Sequence, residues 1–187
     1  MKINTTTIAK NFIKQHVKQG DIVVDATIGR GNDTLFLKQI VGESGFVYGF
    51  DIQQQAIDDT TKRLLQNDEH NNVKLILDSH ENIDKYIKNK QLACVVFNFG
   101  YLPRGDHNIA TKPKTSIIAI QKSLNLLKPK GVLSLCVYCG GDTGFEEKEA
   151  ILHFVKNLDY NKYTVIVSDF FNRPNFPPIH IQIIKEQ

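Results

Sequence analysis

Two segments near the N-terminus carry residue types that can hold a small polar ligand. Asp25 to Asp33 reads Asp-Ala-Thr-Ile-Gly-Arg-Gly-Asn-Asp and directly follows an apolar run. Gly29 and Gly31 stand where a chain turns tightly and lets its backbone approach a ligand. Asp51 follows the glycines by about 20 residues, at the end of a second apolar run, where an acid accepts hydrogen bonds from ribose hydroxyls. The spacing predicts a nucleoside site.

The residues after the glycines favour one class of nucleoside over another. Asn32 or Asp33 is placed to cap the helix that starts there, with its N–H groups facing the crevice. Dinucleotide sites carry a small residue three positions after the second glycine, whereas this chain has Thr34 there with Asp33 beside it. A carboxylate at this point repels a pyrophosphate and attracts a cation. We therefore predict S-adenosyl-L-methionine rather than NAD, with a ligand-free structural turn as the alternative.

Two further strand ends carry polar side chains. Asp78 or Ser79, after the third apolar run, is placed to hydrogen-bond an adenine amino group. His80 is equally well explained as an exposed residue at a helix start. The fourth run ends in Asn98-Phe-Gly-Tyr-Leu-Pro-Arg-Gly-Asp-His107. This loop is longer, and richer in reactive side chains, than an ordinary connection between a strand and a helix. Reacting groups collect at the carboxyl ends of central strands, so this loop is predicted to face the substrate.

Methyl transfer from a sulfonium requires alignment of the nucleophile and an amine kept deprotonated. Asn98 is predicted to orient an amine, and Tyr101 to stack on a base. Asp106 or His107 is predicted to accept the amine proton, unless His107 only fixes the loop. Tyr138 begins a glycine-rich stretch up to residue 144 that is expected to form another wall of the substrate pocket.

Charge is unevenly distributed along the chain. The formal net charge is +3, too small to predict nucleic-acid binding. Six basic residues against one acid lie between positions 104 and 130, a local surplus of five: Arg104, Lys112, Lys114, Lys122, Lys128 and Lys130, against Asp106. The positive charge is therefore concentrated near one loop and helix, either as a solvated face or as a binding surface.

The cysteines and the hydropathy of the chain indicate its cellular compartment. Cys94, Cys136 and Cys139 are odd in number and lie in or beside apolar runs, which is typical of buried thiols in a reducing compartment. Cys136 and Cys139 have no second pair to complete a zinc site, so no metal and no disulfide are expected. The N-terminus lacks a signal-peptide core and no apolar run reaches membrane-spanning length, so we expect a cytoplasmic protein without membrane contact.

Apolar runs of strand length alternate with segments of helical period, as in a parallel sheet covered on both faces. The predicted strands are Ile22–Asp25, Phe46–Asp51, Val73–Leu77, Leu92–Phe97, Val132–Tyr138, Tyr163–Ser168 and Ile179–Ile184. The predicted helices are Thr6–Gln19, Asp33–Val41, Gln54–Gln66, a short one at Ile83–Ile87, Pro113–Leu127 and Phe145–Leu158. Pro129 and Gly131 are expected to separate a helix from the next strand.

No room for a helix remains between the last two strands, so we expect an antiparallel hairpin at the sheet edge. The prediction is a single α/β domain over residues 1–187, with a doubly wound, Rossmann-like, seven-stranded, mostly parallel sheet and a C-terminal antiparallel hairpin.

With these motifs in view, nearly the whole chain resembles the small bacterial proteins described as rRNA methylases. The specific parts are residues 25–33, Phe50-Asp-Ile-Gln53, residues 98–107 and Gly140-Gly-Asp-Thr-Gly-Phe-Glu-Glu147. Characterised members methylate the amine of 5-aminomethyl-2-thiouridine at the tRNA wobble position. Many amino-methyltransferases carry Asn-Pro-Pro-Tyr where this chain has Asn98-Phe-Gly-Tyr101, so we expect this chain to hold the amine in a different way.

The resemblance implies a class I methyltransferase fold, a tRNA anticodon loop as partner, a homodimer and 5-methylaminomethyl-2-thiouridine as product. An rRNA or small-molecule methyltransferase is the nearer alternative, and a non-catalytic nucleotide-binding module the farther one. The predicted cofactor residues are Asp25, Thr27, Gly29, Gly31, Asn32, Asp33, Asp51, Gln53, Asp78, Ser79 and His80. The predicted catalytic residues are Asn98, Asp106 and His107, and those for the substrate are Tyr101, Arg104, Lys112, Lys114 and Tyr138.

Overall fold

The computed structural model describes residues 3–66, 71–88, 91–100, 111–139 and 144–187. The helices are α1 Thr5–His16, α2 Asn32–Val41, α3 Gln54–Gln66, α4 Ile83–Tyr86, α5 Pro113–Leu126 and α6 Gly144–Lys156, with a 3-10 turn at His80–Asn82. The strands are β1 Ile22–Asp25, β2 Phe46–Asp51, β3 Val73–Leu77, β4 Leu92–Phe99, β5 Leu127–Val137, β6 Tyr163–Ser168 and β7 Ile179–Lys185. The predicted alternation of strands and helices is confirmed.

The seven strands form one sheet in the order β3-β2-β1-β4-β5-β7-β6. β1 to β5 run parallel, and β7 pairs antiparallel with both β5 and β6. The strand order reverses between β1 and β4, which opens a crevice at their carboxyl ends. Because β7 runs against β5, the start of β7 lies at this same edge, where Ile179 pairs with Val137.

The central strands are buried on both faces, which explains their continuous apolar sequence. Along β4, Val95 and Phe97 belong to a core cluster with residues of α4, α5 and α6, whereas Cys94 and Val96 belong to a second cluster with α1 and α2. Alternate side chains of a strand point to opposite faces. The sheet is therefore the middle of three layers, and its carboxyl edge is held rigidly from both sides.

The boundary predicted between α5 and β5 was wrong. β5 begins at Leu127 directly after the helix, and Pro129 and Gly131 lie inside the strand. The pairing shifts register between Leu92 and Cys94, and a bulge tolerates a proline, which cannot donate to the ladder. A Cβ on Gly131 would lie 2.8 Å from the Leu92 carbonyl oxygen, so the strand passes its neighbour too closely for a larger residue.

Other boundaries differ by a few residues. β4 continues through Asn98 to Phe99, so Asn98 is the penultimate residue of a strand rather than the first of a loop. α1 ends at His16 instead of Gln19, because Val17 is already extended. In the described ranges no helix is long and apolar enough to cross a membrane.

Candidate active site

A cavity of about 950 Å³ opens at the carboxyl edge of the sheet. Its walls come from the turn after β1, the ends of β2 and β3, and the end of β4. Most of the predicted cofactor residues line it: Thr27, Gly29, Asn32, Asp33, Asp51, Gln53, Asp78, Ser79 and His80. The sheet order brings these residues together, because parallel strands end at one edge.

The glycine turn is tied to the end of β2. The Gly29 N–H donates to Asp51 Oδ2 at 2.9 Å, and the Gln53 N–H donates to Asp51 Oδ1 at 2.9 Å. Asp51 is half-buried at the cavity wall, so each oxygen already holds one backbone donor and has a second lone pair. The carboxylate that was predicted to bind ribose hydroxyls thus also fixes the turn that faces it.

The start of α2 differs from the sequence prediction. Gly31, rather than Asn32 or Asp33, is the N-cap residue, and no side chain caps the helix. Its φ of 71° lies in the left-handed region that glycine tolerates. A Cβ there would lie 2.5 Å from Thr60 Oγ1 on α3. Gly31 therefore serves the close packing of α2 on α3 and lies behind the cavity wall, not on it.

Asp25 also lies beneath the cavity instead of in it. Its side chain is fully buried and accepts hydrogen bonds from the Thr34 hydroxyl at 2.6 Å and the Thr27 N–H at 3.3 Å. Burial raises the pKa of Asp25 to about 7, and the negative charges of Asp33 and Asp51 add to the rise against the two hydrogen bonds. The structure assigns this acid to the support of the turn, not to direct ligand contact.

Asp33 and the end of β4 meet across the crevice. Asn98 Nδ2 donates to Asp33 Oδ2 at 2.8 Å, and the Asn98 N–H donates to the Thr27 hydroxyl at 2.7 Å. The acid predicted to face a cationic cofactor and the amide predicted to orient an amine are therefore direct neighbours. Since the nitrogen end of the Asn98 amide is held by Asp33, its oxygen end is the acceptor for another donor.

Asp78, the acid after β3, is hydrogen-bonded by neighbouring residues of the chain. Asp78 accepts from the Ser79 N–H, Asn82 Nδ2 and the Tyr86 hydroxyl, all within 2.8 Å. Burial raises the pKa of Asp78, but these hydrogen bonds together outweigh burial and lower the pKa below its ordinary value. Asp78 lines the cavity as a carboxylate held in a fixed orientation.

His80 is not the exposed helix-start residue considered from the sequence. It is buried, and its ring lies edge-on to Phe97 and Phe99. Burial lowers the pKa of His80 to about 4, against a hydrogen bond to the Ala26 backbone, so the ring is neutral near pH 7. Among the described residues no atom is a hydrogen-bond partner for Nε2, which is itself buried, although other atoms of His80 line the cavity.

The substrate side is formed by segments around the predicted loop. Residues 101–110 lie outside the described residues, and the predictions for Tyr101, Arg104, Asp106 and His107 therefore stay predictions. Lys112 and Tyr138 line the cavity, whereas Lys114 is exposed and does not line it. Burial is the main cause that raises the pKa of the Tyr138 hydroxyl, and a hydrogen bond with Thr6 opposes it.

Glu147 anchors the chain where it leaves that loop. Its oxygens accept from the Thr111 hydroxyl at 2.7 Å and the Ser116 hydroxyl at 2.6 Å, and the Gly100 N–H donates to Thr111 Oγ1 at 2.8 Å. Burial raises the pKa of Glu147 despite these two hydroxyl donors. The buried acid thus pins both α5 and the end of β4, a role that the sequence analysis did not assign.

Four residues of the cavity mouth were not predicted from the sequence: Thr6 and Lys10 from α1, and Phe176 and Pro178 before β7. The Thr5 hydroxyl donates to the Pro178 carbonyl oxygen at 2.6 Å and holds these segments together. The predicted antiparallel hairpin was the available signal, because it returns the start of β7 to the carboxyl edge of β5.

The basic stretch is not one continuous binding surface. Lys122 pairs with Asp84 at 2.8 Å, Lys130 pairs with Glu186 at 2.6 Å, and Lys128 pairs with Asp21. Lys128 and Lys130 lie at the start of β5, which is the edge of the sheet opposite the cavity. Lys128 and Lys130 therefore lie away from the cavity, whereas Lys112 lines it.

All three cysteines are buried free thiols. Burial raises the pKa values of Cys94 and Cys136 well above the ordinary thiol range, so neither is a ready thiolate. Cys139 lines the cavity beside Tyr138.

Comparison with known proteins decides the family. The model of the family described as "Putative rRNA methylase" matches residues 47–184. This chain belongs to that family. Its seven-stranded sheet is the class I methyltransferase fold. The crystal structure of the family protein from Clostridium thermocellum is 49% identical and superimposes with a TM-score of 0.96, covering 99% of each chain.

Two further similar proteins are described by a bound ligand or by an activity. A putative methyltransferase from Streptococcus mutans, solved in complex with SAH, is 38% identical with a TM-score of 0.90 over 99% of each chain. The chloroplastic tRNA (mnm(5)s(2)U34)-methyltransferase of Arabidopsis thaliana is 36% identical over 97% of this chain and 69% of its own length.

Proposed function

We propose that this protein is an S-adenosyl-L-methionine-dependent N-methyltransferase that acts on the amine of 5-aminomethyl-2-thiouridine at the tRNA wobble position. The product is 5-methylaminomethyl-2-thiouridine. One observation supports the site assignment: Asn98, the proposed amine-orienting residue, donates a hydrogen bond to Asp33 of the glycine turn. The tRNA substrate is supported by the 36% identity to the Arabidopsis enzyme.

S-Adenosyl-L-methionine is the cofactor, and the residues of the cavity suit it. Asp25, Asp33 and Asp51 lie close enough for the two others to raise the pKa of Asp25, so this corner is rich in negative charge. A sulfonium with an ammonium group relieves that charge, whereas a pyrophosphate adds to it. Asp51 would hold the ribose, Asp33 the amino-acid end, and Ser79 or His80 the adenine.

When bound, the cofactor supplies an electrophilic methyl group. The chain has to hold the amine nitrogen in line with that methyl and to remove one proton from the amine. The Asn98 oxygen would accept an N–H of the amine and so help to orient the amine nitrogen. Asp106 and His107 stay the proposed proton acceptors.

A direct assay tests this proposal. Purified protein is incubated with methyl-labelled cofactor and two RNA hairpins that differ only in carrying 5-aminomethyl-2-thiouridine or plain uridine at the wobble position. We expect label only in the first, recovered as 5-methylaminomethyl-2-thiouridine by nucleoside mass analysis. Label in neither hairpin would refute the tRNA assignment, and nucleoside analysis of tRNA from a deletion strain provides the matching test in cells.

A second candidate is rRNA methylation, because the family description names rRNA. The two candidate functions are distinguished by offering ribosomal RNA and tRNA from the deletion strain in the same reaction. Methyl incorporation into rRNA with tRNA left unlabelled would favour the second candidate.

We also propose that the enzyme is a homodimer, as the family resemblance implies. Light scattering of the purified chain coupled to size-exclusion chromatography should give twice the mass of one chain. A monomer mass that persists at high protein concentration would contradict this.

A further inference from the structure

Phe176 stands at the mouth of the cavity with most of its ring in solvent. It is 69% exposed although it is a large apolar side chain, and it lines the cavity beside Pro178. Its ring contacts Phe145 edge-on, with centroids 5.4 Å apart. The contact holds the ring against α6 while most of its surface stays exposed.

The backbone that presents Phe176 is strained. Asn175 and Phe176 have φ values of 64° and 45°, in the left-handed region that residues with a Cβ avoid. The segment is nevertheless tied down on both sides, since Arg173 Nη2 donates to the Ile3 carbonyl oxygen at 2.7 Å and Thr5 holds the Pro178 carbonyl oxygen. Strain that is maintained by neighbouring contacts is characteristic of functional segments.

Charge at this end of the cavity differs from charge at the cofactor end. The acids that line the cavity, Asp33, Asp51 and Asp78, follow β1, β2 and β3. Lys10 lines it from α1, with its Nζ 4.8 Å from the centroid of the Phe36 ring on α2. Lys112, the N-cap residue of α5, lines it as well. The lining acids therefore lie in the half that follows β1, β2 and β3, which also carries Arg30 and Arg63. Phe176 and the two lysines come from other segments of the chain.

We propose that Phe176 is the surface on which a nucleobase of the substrate RNA stacks, with Lys10 and Lys112 beside the backbone phosphates. The inference rests on the proposed function and deepens it, because it names the residues that select a nucleotide over a free amine. An aromatic face with nearby cations is the usual platform for a single-stranded base. A base reaches the ring only when it is turned out of a duplex, so the substrate is a loop nucleotide.

The test compares four full-length proteins: the parent chain, Phe176→Ala, Phe176→Tyr and Phe171→Ala. Phe171 is a matched control, since it is fully exposed in the same segment between β6 and β7 but does not line the cavity. Affinity for a fluorescein-labelled anticodon-loop hairpin is measured by anisotropy, SAH binding by calorimetry, and mass by light scattering.

We expect Phe176→Ala to weaken hairpin binding by about fivefold to a hundredfold, with SAH binding unchanged, and Phe176→Tyr to keep most of the affinity. Phe171→Ala should match the parent chain. Equal hairpin affinity for Phe176→Ala and Phe171→Ala would overturn the stacking role while leaving the proposed function intact. A parent chain that does not bind the hairpin would overturn the proposed function. A change of mass in Phe176→Ala alone would instead assign the ring to a contact between two copies of the chain.

Discussion

Two acids of the cofactor side, Asp25 and Asp51, have different roles because their surroundings differ. Asp51 is half-buried at the cavity wall and accepts hydrogen bonds from two backbone N–H groups. Asp25 is fully buried with two other carboxylates nearby, and its pKa rises to about 7. The first is suited to binding hydroxyl groups, and the second is a cost to the fold at neutral pH.

The buried Asp25 predicts a pH dependence of stability. Its folded pKa of about 7 lies above the ordinary value of 3.8, so the folded state binds the proton more tightly than the unfolded state. The free energy of unfolding should therefore fall as pH rises through this window, by at most about 1.4 kcal/mol per pH unit. Asp25→Asn should flatten that slope in urea titrations at several pH values; an unchanged slope would assign the dependence to other groups.

At Asp51 the expected effect is on cofactor binding. Asp51→Asn keeps the shape of the side chain but removes the charge that attracts ribose hydroxyls and backbone N–H groups. We expect SAH affinity to fall at least about tenfold, the usual effect of losing a hydrogen bond to a charged group. Calorimetry measures it, with Asp58→Asn on the exposed face of α3 as control. Equal losses in both variants would contradict a specific role for Asp51.

At the scale of elements, the packing of α2 on α3 depends on Gly31. Gly31→Ala combines an unfavourable φ of 71° with a clash against Thr60, so we expect a loss of about 1–3 kcal/mol in unfolding free energy. Gly20→Ala is the matched control, since its φ is 85° but its Cβ would meet Ser44 Oγ at an ordinary 3.6 Å. Thermal and urea unfolding should show the larger loss for Gly31→Ala, and equal losses would leave φ strain as the full explanation.

For the whole molecule, the two edges of the sheet should differ in RNA contact. Lys112 lies at the cavity, whereas Lys130 pairs with Glu186 near the start of β5. Lys112→Ala should weaken hairpin binding and reduce the slope of log affinity against log salt by about 1, as for one lost phosphate contact. Lys130→Ala should change neither quantity. If Lys130→Ala has the larger effect, the RNA lies on the other edge of the sheet.

The helices and strands could be predicted from the sequence because each is indicated by residues close together in the chain. Burial of β4 on both faces gives the continuous run from Leu92 to Phe97, and Pro113 marks the first turn of α5. The junction before β5 was wrong because Pro129 and Gly131 are also typical of a turn. Only the pairing of Leu127 with Leu92 shows that they form a bulge.

Spacing along the chain is enough to predict the glycine turn, Asp51 at a strand end, the order of the elements and the sulfonium-type ligand, since each depends on neighbouring residues. The tertiary fold alone shows which side chains meet. It joined Asn98 to Asp33, moved Asp25 beneath the cavity, buried His80 and brought Phe176 to the mouth. These outcomes depend on the order of strands in the sheet and on the burial that this order creates, and neither is encoded in a local spacing.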